Sequence, residues 1–301
     1  MGPGPPPVRM RGSRGQDGFK LNPKVIRNFA WGFHGGILPQ LLVCRHPLRT
    51  ELRNGSSAIR NPQSAQKTGW FSSIRTLQSA IPMTIPWTAR VHERTLIVTF
   101  PTLYRVLSWA PLNGGLVEAR TILNHQVDIH ASSVLEPQAY LSALVQSLGV
   151  ESPTVGLMTG VLMDRLVRTT LQVDAVRLEC FATVGLSNAL AVGDPATYSE
   201  QPGTINIIVA CNHPLAPPAL VEAVQIVTEA KVQALYAAKI RSTVSDTFAT
   251  GTGTDCVAVA CPPGAPTYQY CGKHTHLGEL LGRVVGQTME EGLRRAGVKG
   301  T

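Results

Sequence analysis

The sequence predicts an α/β protein, a single domain with a buried mixed β-sheet flanked by helices; a segregated α+β arrangement is the alternative. Three observations lead there. Apolar residues make up 44% of the 301 and charged residues only 15%, which is enough to fill a sizeable core. Runs such as Ile205-Asn-Ile-Ile-Val-Ala-Cys211 are apolar almost throughout, as in strands covered on both faces. Between such runs lie three stretches with helical periodicity and recognisable ends.

Taken in chain order, Thr95–Phe100 reads as a strand and Pro101 as a turn. Tyr104–Trp109 then reads as a second strand, so the pair is expected to form a hairpin. Asn113-Gly114-Gly115 is a turn signal, because glycine tolerates positive φ. Leu116–Leu123 is strand-like again. A helix is expected over 137–148: Pro137 suits its first position, Leu141, Leu144, Val145 and Leu148 share a face, and Gly149 stops it. Further strand material lies at Val155–Thr159, Leu171–Val184, Thr204–Cys211 and Cys256–Cys261. A second helix is expected over 217–240, entered at Pro217-Pro218 and striped by Leu220, Val224, Val227, Ala234 and Leu235. The third spans 276–295. Thr275 is its N-cap, Leu277, Leu280, Leu281, Val284 and Val285 form its apolar face, and Arg294-Arg295 suit its C-terminal end.

Charge divides the chain. Residues 1–82 hold twelve of the 27 Lys and Arg against two acids, Asp17 and Glu51, a net of +10; the remainder holds 15 against 17, a net of −2. A basic N-terminal extension, 1–82, thus precedes a near-neutral domain, 83–301. Three readings fit the extension: a disordered segment, an organelle transit peptide, or translated sequence upstream of a true start at Met83. The near-neutral domain gives no reason to expect a nucleic-acid partner. No apolar run approaches the roughly 20 residues of a membrane span. The six cysteines, several inside apolar runs, read as buried thiols of a reducing, cytoplasmic compartment.

Two stretches concentrate polar chemistry. Ser242–Asp255 packs hydroxyls, Gly251, Gly253, Asp246 and Asp255 between a long helix and a strand. Glycines let backbone N–H groups approach a ligand, and a carboxylate can activate water. A loop that merely caps a helix and enters a strand has the same composition. Tyr270–Glu279 gathers Lys273, His274 and Glu279 at a helix entry, a setting for anion binding or proton transfer, or for solvated polar residues alone. Zinc is not expected. The Cys and His of 256–276 lack close metal-ligand spacing, and Cys256 and Cys261 should face opposite sides of one strand. Gly185-Leu-Ser187-Asn188 only half resembles a nucleophile elbow.

In combination and order, these segments resemble the adenosylcobinamide amidohydrolase family. The matching pieces are Arg105–Gly115, Met158-Thr-Gly160, Ala182–Ala189, Gly203–Ile208, Ser245-Asp246-Thr247, Gly251–Asp255 and Gly272–Glu279. The similarity covers about 95–297. It implies hydrolysis of the aminopropanol amide of adenosylcobinamide to adenosylcobyric acid, in corrinoid salvage for cobalamin biosynthesis. The cobalt belongs to the substrate, so no protein-bound metal or cofactor is implied, and the expected partner is a small corrinoid. The resemblance does not supply the roles; on the chemistry of the residues Asp255 or Asp246 is the expected base, since a carboxylate at a loop–strand junction suits it, and Gly251–Thr254 backbone N–H groups are expected near the oxyanion. His274 or Lys273 is the proton donor. Asn113, Gly114, Gly115, Asn188, Thr247, Gly251, Thr252, Gly253, Thr254, Lys273 and Glu279 bind substrate. Two other classes stay open: a non-catalytic corrinoid carrier, and a self-processing amidase cut at a bond such as Gly253–Thr254.

Overall fold

The computed structural model describes residues 86–128, 136–196 and 203–299; the extension 1–82 lies outside them. All described residues fall in one compact unit, Gln78–Thr301. Ten strands and three α-helices are seen among them. In order they are β1 (Thr88–His92), β2 (Thr95–Ser108), β3 (Gly115–Gln126), α1 (Pro137–Leu148), β4 (Thr154–Thr159), β5 (Val167–Val173), β6 (Val176–Val184), β7 (Ala189–Leu190), β8 (Ile205–Cys211), α2 (Pro217–Ala237), β9 (Gly251–Thr252), β10 (Cys256–Cys261) and α3 (His276–Arg295).

The helices lie where their end signals predict. Pro137 and Pro217 open α1 and α2, and the Thr275 hydroxyl accepts from the Gly278 N–H to cap α3. Gly149 closes α1 at φ 59°, a left-handed conformation that glycine adopts without strain.

Eight strands form one mixed sheet in the order β4-β3-β2-β10-β8-β6-β5, with β1 on the first half of β2. One expectation is corrected here and one is refined. The hairpin over 95–109 is instead one long strand. β1 pairs with Thr95–Thr99, β10 pairs with Arg105–Ser108, and β3 pairs along both halves. Pro101 falls in the register break between Thr99 and Tyr104, where no ladder N–H is required of it. Conversely, the run Leu171–Val184 contains a tight hairpin. β5 and β6 are antiparallel, and Asp174 turns the chain between them at φ 51°.

β8 and β10 are buried at every position, on both faces, which explains their nearly continuous apolar composition. Along β8, Ile205, Ile207, Val209 and Cys211 pack with α2 and α3. Ile208 and Ala210 pack on the other side with Trp87, Phe100, Tyr104, Ile122 and Val155. Those last residues belong to the outer strands and the segment just before β1, so the sheet curls back over its own inner face. The Asn206 side chain on β8 donates to the Met158 carbonyl on β4 at 2.7 Å, although three strands separate β8 from β4 in the sheet.

His125 on β3 is buried outside this inner face. Its ring meets the Thr95 hydroxyl at 2.7 Å and the Tyr140 hydroxyl at 2.9 Å. Burial, aided by Arg94, holds its pKa below the ordinary imidazole value. The unfolded chain therefore takes up this proton first, near pH 6.5, as an ordinary imidazole does. The contribution to stability is present above that pH and is lost as pH falls from there toward the folded value. Urea midpoints from pH 7 to 5 should fall less steeply for His125→Gln than for the parent. Identical slopes would assign the acid sensitivity elsewhere.

Candidate functional site

The end of the sheet where β8 and β10 begin carries an unusual density of polar groups for a core. Alternation places Asn206, Thr183 and Cys256 on the inner face, beside Ile208, Phe181 and Ala258 respectively. Asn124 and Thr159 complete the layer from the opposite side of the curl. The Asn206 amide donates to Asn124 Oδ1 at 2.9 Å, Asn124 donates to the Thr183 hydroxyl at 3.1 Å, and Thr183 reaches the Thr159 hydroxyl at 3.4 Å. Cys256 Sγ lies 3.7 Å from the Ser108 hydroxyl, and burial pushes its thiol up to about 11.

Above this layer sits the Gly251–Asp255 loop, tied down by its last residue. Asp255 Oδ1 accepts the Thr252 N–H at 3.0 Å, the Ile205 N–H at 3.2 Å and the Thr252 hydroxyl. Its Oδ2 accepts from Lys231 of α2, and both side chains of this ion pair are about nine-tenths buried. A side chain at position 251 would strike Asp255 Oδ2 and Lys231 Nζ, so the first glycine of the loop is a packing requirement.

A second loop faces the first. β7 pairs with β9, Ala189 opposite Thr252, which brings Asn188 against Gly253. Asn188 is wedged between two glycines. A Cβ at 253 would lie 2.9 Å from its Nδ2, and one at 203 would lie 2.5 Å from its backbone N. Its Oδ1 is buried and receives no donor among the described residues. Beside it the Thr204 and Thr254 hydroxyls meet at 2.7 Å, and Thr254 also donates to the Gly203 carbonyl.

Asn113, Gly114 and Gly115 support this end from β2 and β3. Asn113, at φ 54°, donates to the Thr154 carbonyl at 2.7 Å, and a Cβ at 114 would come within 2.5 Å of the Ala110 carbonyl. They brace the chain after β2, where Trp109 donates its indole N–H to the Asp255 carbonyl at 2.6 Å.

The structure does not gather every residue singled out in the sequence. Asp246 and Thr247 are exposed on the preceding turn. The Thr247 hydroxyl bonds Ser245, and the Asp246 backbone carbonyl accepts from Arg241. Lys273, His274 and Glu279 lie near the start of α3. There the Cys271 N–H bonds Glu222, nine residues before Lys231 on α2 and so about 13 Å from it along the helix. Lys273 pairs with Glu229, Glu279 pairs with Arg283, and His274 is exposed. No hydrogen bond or ion pair joins His274 or Lys273 to Asp255 among the described residues; Lys273 instead reaches Glu229, two residues before Lys231 on α2. Cys256 and Cys261 do face opposite sides, Cys256 the curl and Cys261 the helices.

Lys231 was missed in the sequence. Its signal is positional: a lysine inside an apolar stripe, four residues after Val227 and four before Leu235. Thr204 has no such signal, because only the fold brings it to Thr254.

Residues 83–299 match the family described as adenosylcobinamide amidohydrolase. The chain belongs to that family. Among curated relatives, it is 30% identical to an uncharacterized protein of Methanocaldococcus jannaschii, over 71% of this chain and 91% of the relative. It is 28% identical to the adenosylcobinamide amidohydrolase of Methanosarcina mazei, over 62% of this chain and 88% of that protein. Among solved structures, the PH0078 protein from Pyrococcus horikoshii aligns over 71% of this chain and 79% of its own, with a TM-score of 0.34 and 9% identity. No helix among the described residues is long and apolar enough to cross a membrane.

Proposed function

We propose that this adenosylcobinamide amidohydrolase family member hydrolyses the aminopropanol amide of adenosylcobinamide to adenosylcobyric acid. Water adds to the amide carbonyl, the C–N bond breaks, and aminopropanol leaves with a proton. The observation that carries the reading is convergence. Segments around 109–115, 188, 203–206 and 251–255, scattered along the chain, meet at one end of the sheet.

In this reading Asp255 is the proton acceptor at the loop. Its Oδ1 already accepts the Thr252 hydroxyl beside two backbone N–H groups, so a water's proton would reach it by way of that hydroxyl. The Thr252 and Gly253 N–H groups are held by Asp255 Oδ1 and the Asn188 carbonyl, so the Thr254 N–H is the loop donor offered to the developing oxyanion, and the unpartnered Asn188 Oδ1 is available to a substrate N–H. Asp246, Thr247, Lys273, His274 and Glu279 stand outside this centre. The cobalt travels with the substrate, and neither a resident metal nor a nucleic-acid partner enters the reaction. The five cysteines among the described residues are unpaired, which fits a cytoplasmic setting.

The test is incubation of the full chain with adenosylcobinamide, followed by chromatography for adenosylcobyric acid. Product formation that scales with enzyme is the expected result. Tight binding without product would mark a corrinoid carrier. Two chains in the mass spectrum, cut at Gly253–Thr254, would mark a self-processing amidase.

A further inference from the structure

Trp109 is half exposed, at 51%, yet it is held from several sides. Its indole N–H is bound to the Asp255 carbonyl at 2.6 Å. The Ser108 hydroxyl accepts the N–H of Ala110, the next residue, at 3.1 Å. Gly114 packs so closely on Ala110 that a Cβ there would lie 2.5 Å from the Ala110 carbonyl and 3.2 Å from Trp109 C. An exposed indole ordinarily gains nothing from such bracing, whereas a fixed ring face at the mouth of a polar site is already arranged for stacking.

We infer that Trp109 is the stacking platform for a planar conjugated ring of the substrate. The inference rests on the corrinoid reading above. Adenosylcobinamide presents two such rings, the corrin and the adenine, and the shared chemistry is a flat π-face laid on the indole. The platform is joined to the Asp255 backbone, so a ring seated there would be held at a fixed distance from the Gly251–Asp255 loop. Trp109 would then act on substrate binding and not on the hydrolytic step.

Calorimetric titration of the full chain with adenosylcobinamide tests this, alongside cobinamide lacking the adenosyl group and adenosine alone. Trp109→Leu should weaken adenosylcobinamide binding about tenfold or more, the scale of one lost stacking contact. It should raise KM by a similar factor, with kcat nearly kept. Trp109→Phe, which keeps a ring and loses the N–H, should retain most of the affinity. The ligand whose binding falls with Leu names the ring: adenosine for the nucleobase, des-adenosyl cobinamide for the corrin. Equal affinities for parent and Leu variant would overturn the platform. So would Phe and Leu weakening binding equally, which would make the indole only a cap on Asp255. Binding without hydrolysis would overturn the reaction alone and leave these comparisons intact. No binding of any corrinoid by the parent would overturn both.

Discussion

Asp255→Asn is expected to lose turnover and stability together, roughly 100-fold in rate and about 3 kcal/mol in stability. The first loss follows if Asp255 holds the proton taken from water. The second follows from Lys231. Its ammonium is buried on α2, and among the described residues it pairs with Asp255. An asparagine keeps the shape but leaves a cation buried without its counter-charge. For a domain of this size the melting point should fall by about 10 °C. The double variant Lys231→Met, Asp255→Asn separates the two effects. Removing both charges should restore most of the stability, because a methionine fits the apolar stripe between Val227 and Leu235. Turnover should stay low. Restored turnover in the double variant would mean that Asp255 only holds the loop. Unchanged melting of the single variant would mean that the ion pair does not hold it.

The coupling of the two losses comes from one residue. Asp255 is legible as a loop carboxylate, but nothing local shows that a lysine 24 positions earlier ends against it. The three helices were legible nearly to the residue. Proline, threonine and glycine end signals act over a few bonds, and a 3.6-residue stripe needs no partner to be seen. The strands were legible as strands but not in their joints. Pro101 breaks a ladder only on the side where an N–H is needed, so it became a register break inside β2. A turn at Asp174, with no glycine or proline, went unnoticed. Asn113, Gly251 and Gly253 were visible as unusual, although their part is to let backbones and side chains meet closely. The entry of α3 is conspicuous in sequence for its Lys and His, but Lys273 pairs with Glu229 of α2 and His274 is exposed.

Asn206 offers the other large effect, because it straps the curl closed. Both of its amide protons are used, one on Asn124 Oδ1 at 2.9 Å and one on the Met158 carbonyl at 2.7 Å. Two acceptors on the same nitrogen fix which way the amide points, since a carbonyl such as that of Met158 cannot donate. Asn206→Leu keeps the volume and strands both acceptors in the core, which should cost about 2 kcal/mol at any pH. Asn206→Asp is harsher at neutral pH, since a carboxylate would face two acceptors away from water, and about 4 kcal/mol or more is expected. A buried carboxyl binds its proton more tightly than an exposed one. Its folded pKa therefore lies above the unfolded value, and the deficit is full above the folded pKa and shrinks as pH falls through it. The protonated acid regains one donor, which can serve either Asn124 or Met158. Urea midpoints of Asn206→Asp, taken relative to the parent at each pH to cancel His125 and other shared groups, should recover between pH 7 and pH 5. Those of Asn206→Leu should not. A parallel loss in the two variants across that range would show that the proton cannot replace the amide hydrogen, and a fully stable Asp variant at pH 7 would show that the strap carries no load.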